Sequence, residues 1–495
     1  MDDKTMTIDD DGSGNGAVAD AAAATDAATA ANVSTTGGVV QASESLSKGA
    51  TPVDESIRKR PIPRDWVARL LKRFPTPANC ASDTKALVVA PMVDQSDLPY
   101  RLLCRRYGAN LAFTPMIHAR LFQTSKAYRR KFFDLANGTP PEDRPLIAQL
   151  CGSRPLDCVV QTAKDLEPFV DGIDLNCGCP QNIAKKGHYG AFLLEQEEEL
   201  VDVVKALTSA VQIPVSVKAR LLPSGVEDSI ELYRRLIEEG GISLLTIHGR
   251  TRLQKAALTG QADWDTIKRA VQLFGDRIPI FANGSIGSLQ DAKDCLEYTG
   301  ADGIMSSEAI LEYPPLFSSN PQRVSRLHLA RQYLELAKEY PTDQGGQGSG
   351  MKCIRVHLHR FLHADLQRHT EIRDMVIRSF SLEAFEEALD RLEQIHTETN
   401  HNVATEQLSW YVRHRRIVDE TTGMTSIEAQ QERERNGCVK TRGATDKSSN
   451  NDDEDYEDGE VCDATCGNND GDDDDDADDA EEEGAQFGAN LFMQQ

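Results

Sequence analysis

The chain has 495 residues, 39% of them hydrophobic, enough for a large core and a smaller second module. Its formal net charge of −25 sits at the two ends: 19 Asp and Glu without a Lys or Arg from Asn451 onward, and 10 acidic against 5 basic side chains over residues 1–60. The span 61–450 is close to neutral, so the acidity does not exclude a nucleic-acid partner for the body, while the absence of an apolar run of about 18 residues excludes a membrane-spanning helix.

The first segment, residues 1–60, includes the low-complexity stretch AVADAAAATDAATAAN at 17–32. Together with the acidic tail 430–495 it buries too little apolar surface to offset its ordering entropy, and both are expected to be disordered. The opening MDDKTMTIDDDG has neither the apolar core of a signal peptide nor the arginines of a transit peptide. The 11 scattered cysteines suit a reducing compartment, so cytoplasm or nucleus is the expected location.

From residue 84, eight short β-rich runs follow at regular intervals: 85–92, 109–116, 144–152, 171–180, 213–221, 242–250, 278–286 and 301–309. Amphipathic stretches at 197–210, 227–241 and 263–274 lie between them, with apolar residues at three- and four-residue spacing. Eight such units within about 230 residues predict a (β/α)8 TIM barrel over 84–320, with a doubly wound sheet as the alternative. In such barrels the strand ends carry the chemistry. Those ends read Pro91-Met92, Met116, Gln149, Cys179, Lys218, His248, Asn283-Gly284 and Ser307, a more polar set than packing alone requires.

After Leu316 the pattern turns helical, and a second domain is expected over 325–420. Within MKCIRVHLHRFLHADLQRHTEIRDM (351–375), Ile354, Leu358, Phe361, Leu362 and Leu366 share one helical face. Lys352, Arg355, His359, Arg360, His363 and Arg368 lie around the others. This reads either as an ordinary helix with a solvated face or as a phosphate-facing surface for RNA.

The stretch DLNCGCPQ (174–181) holds two cysteines one residue apart. Zinc pairs use two to four intervening residues and redox pairs two, so both fit poorly, and a simple turn around Gly178 and Pro180 remains open. Lys218 at a barrel mouth needs an anionic partner, either a carboxylate or a cofactor that gains negative charge on reduction. Gln149 offers a donor and an acceptor suited to a heterocyclic edge, or serves as a satisfied core amide. Backbone around Asn283, Gly284 and Ser285, and around Ser307 and Glu308, falls where barrels commonly bind phosphate, with His248 and Arg250, in IHGRTR at the end of the sixth run, as further donors.

Together these segments resemble the tRNA-dihydrouridine synthases. The resemblance rests on APMVDQSDLPYR (90–101), AQLCG (148–152), DLNCGCPQNIAKKGHYGAFL (174–193), VSVKARL (215–221), TIHGRT (246–251) and FANGSI (281–286). The form Asn-Cys-Gly-Cys-Pro with GHYGAF resembles the branch acting on positions 16 and 17 of the tRNA D-loop. Ser307-Glu308 stands where several branches carry Gly-Arg.

The resemblance implies FMN, reduced by NADPH or NADH, passing hydride from N5 to C6 of uridine while Cys179 protonates C5. It implies Pro91, Met92 and Val93 along the flavin, Gln149 at its polar edge and Lys218 facing its pyrimidine part. His248, Asn283, Gly284, Ser285, Ser307 and Glu308 would hold the phosphate, and Asn176 would help position flavin or substrate. With tRNA as partner, Lys352, Arg355, Arg360 and Arg368 become the expected RNA surface. No metal, no membrane partner and a monomeric state are expected. The alternatives are a flavin barrel reducing a small molecule, of the dihydroorotate dehydrogenase kind, and a non-catalytic RNA- or histone-binding barrel.

Overall fold

The computed structural model describes residues 61–411 apart from 78, 255–258, 321, 345, 346, 349 and 403–406. The tails expected at 1–60 and 430–495, and the expected helical domain beyond 411, lie outside the described residues.

Nine parallel strands form one sheet: β1 (Ala86–Val89), β2 (Leu111–Phe113), β3 (Ile117–His118), β4 (Leu146–Cys151), β5 (Gly172–Cys177), β6 (Val215–Leu221), β7 (Leu244–Thr251), β8 (Ile280–Asn283) and β9 (Gly303–Ser306). The order β2-β1-β9-β8-β7-β6-β5-β4-β3, with an added β2–β4 pairing, closes the sheet into a barrel. The expected eight strands are present, but the second is divided. Pro115 has no N–H to donate, so the ladder breaks after Thr114, and β3 rejoins β4 through Ile117 opposite Leu150.

Helices over Leu156–Leu166, Glu197–Ala210, Val226–Glu238, Trp264–Phe274 and Leu289–Thr299 follow β4 to β8 and cover the barrel. Their ends obey local rules: the Asp263 and Ser288 side chains accept from the N–H groups of Thr266 and Asp291, and Gly300 ends a helix at φ 75. Among the described residues, no helix is long and apolar enough to cross a membrane.

Several residues read as strand ends lie inside the strands. Gln149 lies two residues inside β4, and Lys218 and His248 lie three residues inside β6 and β7. Residues in register on parallel strands share a face, and here Gln149 is level with Asp174, Asn176 with Lys218, Lys218 with Thr246, and His248 with Asn283. A polar layer therefore crosses the barrel interior just below its mouth.

Beyond the barrel, helices over Arg326–Glu339, Met351–Phe361, His363–Arg368, Thr370–Arg378 and Leu382–Glu398 pack against it. The apolar face expected across 351–375 is buried as read, but the helix is broken at Leu362 and His369. A three- and four-residue stripe reports which face is buried, not where tertiary packing bends the rod. The helices are pinned to the loop after β1 by buried polar contacts: His357 Nε2 lies 2.6 Å from Asp97 Oδ1, and the Tyr333 hydroxyl donates to Asp97 Oδ2 at 3.0 Å.

Candidate active site

The segment after β5 is held by a chain of amides. Ser216 Oγ donates to Asp174 Oδ1 at 2.6 Å, and Gln149 Nε2 donates to Asp174 Oδ2 at 2.8 Å. Asn176 Nδ2 then donates to Gln149 Oε1 at 2.8 Å. Because the Asp174 carboxylate can only accept, it fixes which way both amides face. Asn176 Oδ1 is thereby turned toward the backbone, where it accepts from the N–H groups of Gly178 at 3.1 Å and Cys179 at 3.0 Å. Arg220 clamps the other side, its Nε donating to the Gly178 carbonyl at 2.8 Å and its Nη1 to the Thr251 carbonyl at 2.8 Å.

Cys179 emerges from this frame into a small apolar cluster that includes Met116, Cys151, Ala184, Tyr189 and Val93. Gly190, at φ +65, passes so close that a Cβ there would meet the Cys179 carbonyl at 2.7 Å. Burial pushes the Cys179 thiol above the ordinary thiol range, against the N–H of Gln181 and the cations Arg220 and Lys218. The sulfur keeps its proton at neutral pH. Cys177, in contrast, points into the core and is fully buried.

The polar layer carries charge at a cost. Burial pushes Asp174 up to about 6, against hydrogen bonds from Gln149 and Ser216 and the field of Lys218. Burial and the neighbouring Arg220 bring Lys218 down to about 8, with Asp174 opposing. His248 is held well below its usual range by burial and by Arg220, Lys218 and Arg250. Arg250 Nη1 lies 3.0 Å from His248 Nε2; a guanidinium can only donate, so Nε2 accepts and the ring proton sits on Nδ1. The Thr246 hydroxyl is buried without a hydrogen-bond partner among the described residues.

The loops after β7 and β8 meet at Arg250, Gly284 and Ser285. Arg250 Nη2 donates to the Gly260 carbonyl at 2.8 Å and to Ser285 Oγ at 3.3 Å, and Ser285 Oγ also accepts from the Ala262 N–H at 2.8 Å. At Gly284, φ +107, a Cβ would lie 2.8 Å from Ala262 Cβ and 3.0 Å from His248 Cδ2. Asn283 behaves differently: its buried Nδ2 donates to the Met305 carbonyl at 2.9 Å and ties β8 to β9. Ser307 opens the short helix Glu308–Glu312, and the Glu308 carboxylate acts on Arg220 and Arg250, so a phosphate here would share those arginines with an acid.

Pro91 and Val93 are partly exposed beside the buried Met92, whose N–H donates to Ser96 Oγ at 3.0 Å. Asp174, Ser216, Arg220 and Thr246 are site members that reading the strand ends missed. Their signal was the two-residue alternation of polar side chains within the strands: Asp174 with Asn176, Ser216 with Lys218 and Arg220, Thr246 with His248 and Arg250.

The expected RNA surface is not one basic face. Lys352 Nζ pairs with Asp94 Oδ2 at 3.0 Å, and Arg355 Nη2 donates to the Ser379 carbonyl at 2.8 Å. Arg360 is buried, its guanidinium 3.5 Å above the Trp410 ring. Arg368 alone of the four is exposed, at the edge of a cavity with Glu312, Asp365 and His401. Trp410 covers Arg360, and the barrel loop supplies Lys352 with a carboxylate.

Residues 88–410 match the family model described as dihydrouridine synthase. A Mus musculus protein named tRNA-dihydrouridine(16/17) synthase-like, with NAD(P)(+), is 41% identical over 296 residues, 60% of this chain and 59% of its own. Proteins named tRNA-dihydrouridine(16/17) synthase from Schizosaccharomyces pombe and Saccharomyces cerevisiae are 38% and 39% identical, over 60% and 58% of this chain and 74% and 67% of theirs. The chain thus spans less than two thirds of the mouse relative's length.

Proposed function

The chain belongs to the dihydrouridine synthase family, and from that premise we propose that it reduces uridine to 5,6-dihydrouridine at positions 16 and 17 of tRNA, with NAD(P)H as reductant and FMN as its cofactor. The residues fit a flavin. Gln149 keeps one donor hydrogen and one lone pair beyond its two hydrogen bonds, Lys218 brings a buried cation level with Asn176 and Thr246, and Thr246 offers a buried hydroxyl in need of a partner. Gln149 and Lys218 would hold the ring, and His248, Arg250 and the Gly284–Ser285 backbone would hold its phosphate. FMN, when bound, supplies the two-electron chemistry that links a nicotinamide to C6 of uracil.

The protein's own part is the proton. Reduction at C6 leaves negative charge at C5 and O4 of uracil, and a proton must reach C5. Cys179 holds one at neutral pH, because burial keeps its thiol protonated. The observation that carries the reading is the frame around it: two N–H groups bonded to Asn176 Oδ1 and the Gly178 carbonyl bonded to Arg220 hold the thiol at the rim. Lys218, whose charge reaches the Cys179 thiol, would stabilise negative charge in the site. For the base to reach the thiol it must leave its stack, and the apolar wall of Met116, Val93 and Tyr189 suits an extruded pyrimidine.

The reading is tested by incubating the purified protein with NADPH and unmodified tRNA and mapping dihydrouridine by position. Product at 16 and 17 is expected. Flavin-loaded protein that oxidises NADPH yet leaves those uridines intact would overturn it.

A further inference from the structure

Next to the thiol the barrel rim opens into a cavity of about 800 Å3 whose walls include Arg120, Arg154, Lys186, Tyr189 and Glu199. Its inner wall is shared with the proposed reaction site: Tyr189 belongs to the apolar cluster around Cys179, and its ring meets His118 edge-on at 5.4 Å. From there the cavity runs outward past the end of the helix Asn182–Lys186 to the first turn of the helix Glu197–Ala210. The cavity and the proposed reaction site therefore lie on either side of Tyr189, one side chain apart. None of the four charged groups on its walls has a role in the protonation described above.

Two features select the ligand. The volume lies within the roughly 300–1,000 Å3 range of small-molecule and cofactor sites. The charges are mixed, since Arg154 Nε meets Glu199 Oε1 at 2.9 Å while Arg120 and Lys186 add positive charge. A carboxylate among the cations works against a polyphosphate backbone lying across them. A paired carboxylate and arginine is, however, the set that separates the two nicotinamide dinucleotides: the acid accepts from a ribose 2′-hydroxyl, and the arginine takes a 2′-phosphate.

We propose that this cavity binds the adenosine end of the reductant, with Glu199 accepting from the ribose hydroxyl of NADH and Arg154 engaging the 2′-phosphate of NADPH. Having both groups in one ion pair lets the site take either nucleotide, since whichever arrives replaces one partner of the pair. This inference rests on the function proposed above. The Arg154 side chain is 69% exposed, so its replacement leaves the fold intact.

The test is calorimetric titration of NADP+ and NAD+ into the flavin-loaded full chain, for the wild type, Arg154→Ala and Glu199→Gln, with tRNA affinity measured in parallel. Arg154→Ala should weaken NADP+ about tenfold or more, the size of one charge-assisted hydrogen bond, and leave NAD+ within about twofold. Glu199→Gln should weaken NAD+ and tighten NADP+. Unchanged binding of both nucleotides by Arg154→Ala would overturn the inference, and so would a loss of tRNA affinity without a change in NADP+, which would assign the cavity to RNA. A wild type that forms no dihydrouridine in the positional mapping would instead defeat the function proposed above, while the nucleotide titrations report on this cavity alone.

Discussion

Asn176 Oδ1 accepts the backbone N–H of Cys179 at 3.0 Å, so the penultimate side chain of β5 holds a residue just beyond the strand. Three residues of sequence are closed into a ring, and the thiol's position depends on an amide oriented by Gln149 and, behind it, by Asp174. Replacing Asn176 with Ala strands two N–H groups at about 1–3 kcal/mol of destabilisation and frees the loop. Dihydrouridine formation should fall about a hundredfold or more while reduction of the flavin by NADPH changes little. The two half-reactions, followed separately by flavin absorbance, check this.

Asp174→Asn should stabilise the protein. The carboxyl titrates at about 6 in the fold against an ordinary 3.8, so the folded state binds its proton more tightly than the unfolded chain. Its contribution is therefore favourable below pH 4 and is lost as pH rises through 6, leaving a cost of about 3 kcal/mol at pH 7. Asparagine keeps the geometry, accepting from Gln149 and donating to Ser216 Oγ. Denaturant melts should show the variant more stable at pH 7.5 and level with the wild type near pH 4. A gap independent of pH would contradict the assignment.

Lys218 sets the alkaline limit. Burial brings its ammonium down to about 8, whereas the Cys179 thiol is pushed up, so the lysine loses its charge before the thiol loses its proton. The rate of uridine reduction should decline with a midpoint near pH 8. Lys218→Arg should move that limb upward, because a guanidinium holds its charge there. The pH profiles of the two proteins measure the difference.

Arg360 and Arg368 should separate cleanly. Arg360 lies buried over Trp410, so Arg360→Ala should lower stability by about 2 kcal/mol, the scale of a desolvated cation–π contact. Its effect on tRNA affinity should follow from that loss alone. Arg368 is exposed, and Arg368→Ala should weaken tRNA binding a few-fold and reduce its salt slope by about one, with stability unchanged. Thermal melts beside salt-dependent binding curves distinguish the two.

The barrel was legible because its strands are continuous apolar runs at even intervals, and the second strand's break at Pro115 was the one feature that pattern smoothed over. Candidate residues on the strands could be located from the runs: Gln149, Lys218 and His248 lie within β4, β6 and β7, and Cys179 follows β5 by two residues. What was hidden lay in partners distant in sequence. Nothing near Asp174 announces that it orients Gln149, and nothing near Arg360 announces Trp410, fifty residues on. Basic residues on a helix read as a solvated face until the opposing element is known. The basic residues expected as one surface are divided there, with Lys352 held by Asp94 of the barrel.

The central claim is that Cys179 delivers the proton. Its most direct measurement is single-turnover reoxidation of the NADPH-reduced protein by unmodified tRNA, comparing the wild type with Cys179→Ala. The account expects normal flavin content and normal reduction by NADPH, with reoxidation by tRNA slowed about 100- to 10,000-fold, the range of a lost general acid. Reoxidation at the wild-type rate with full dihydrouridine yield would contradict it.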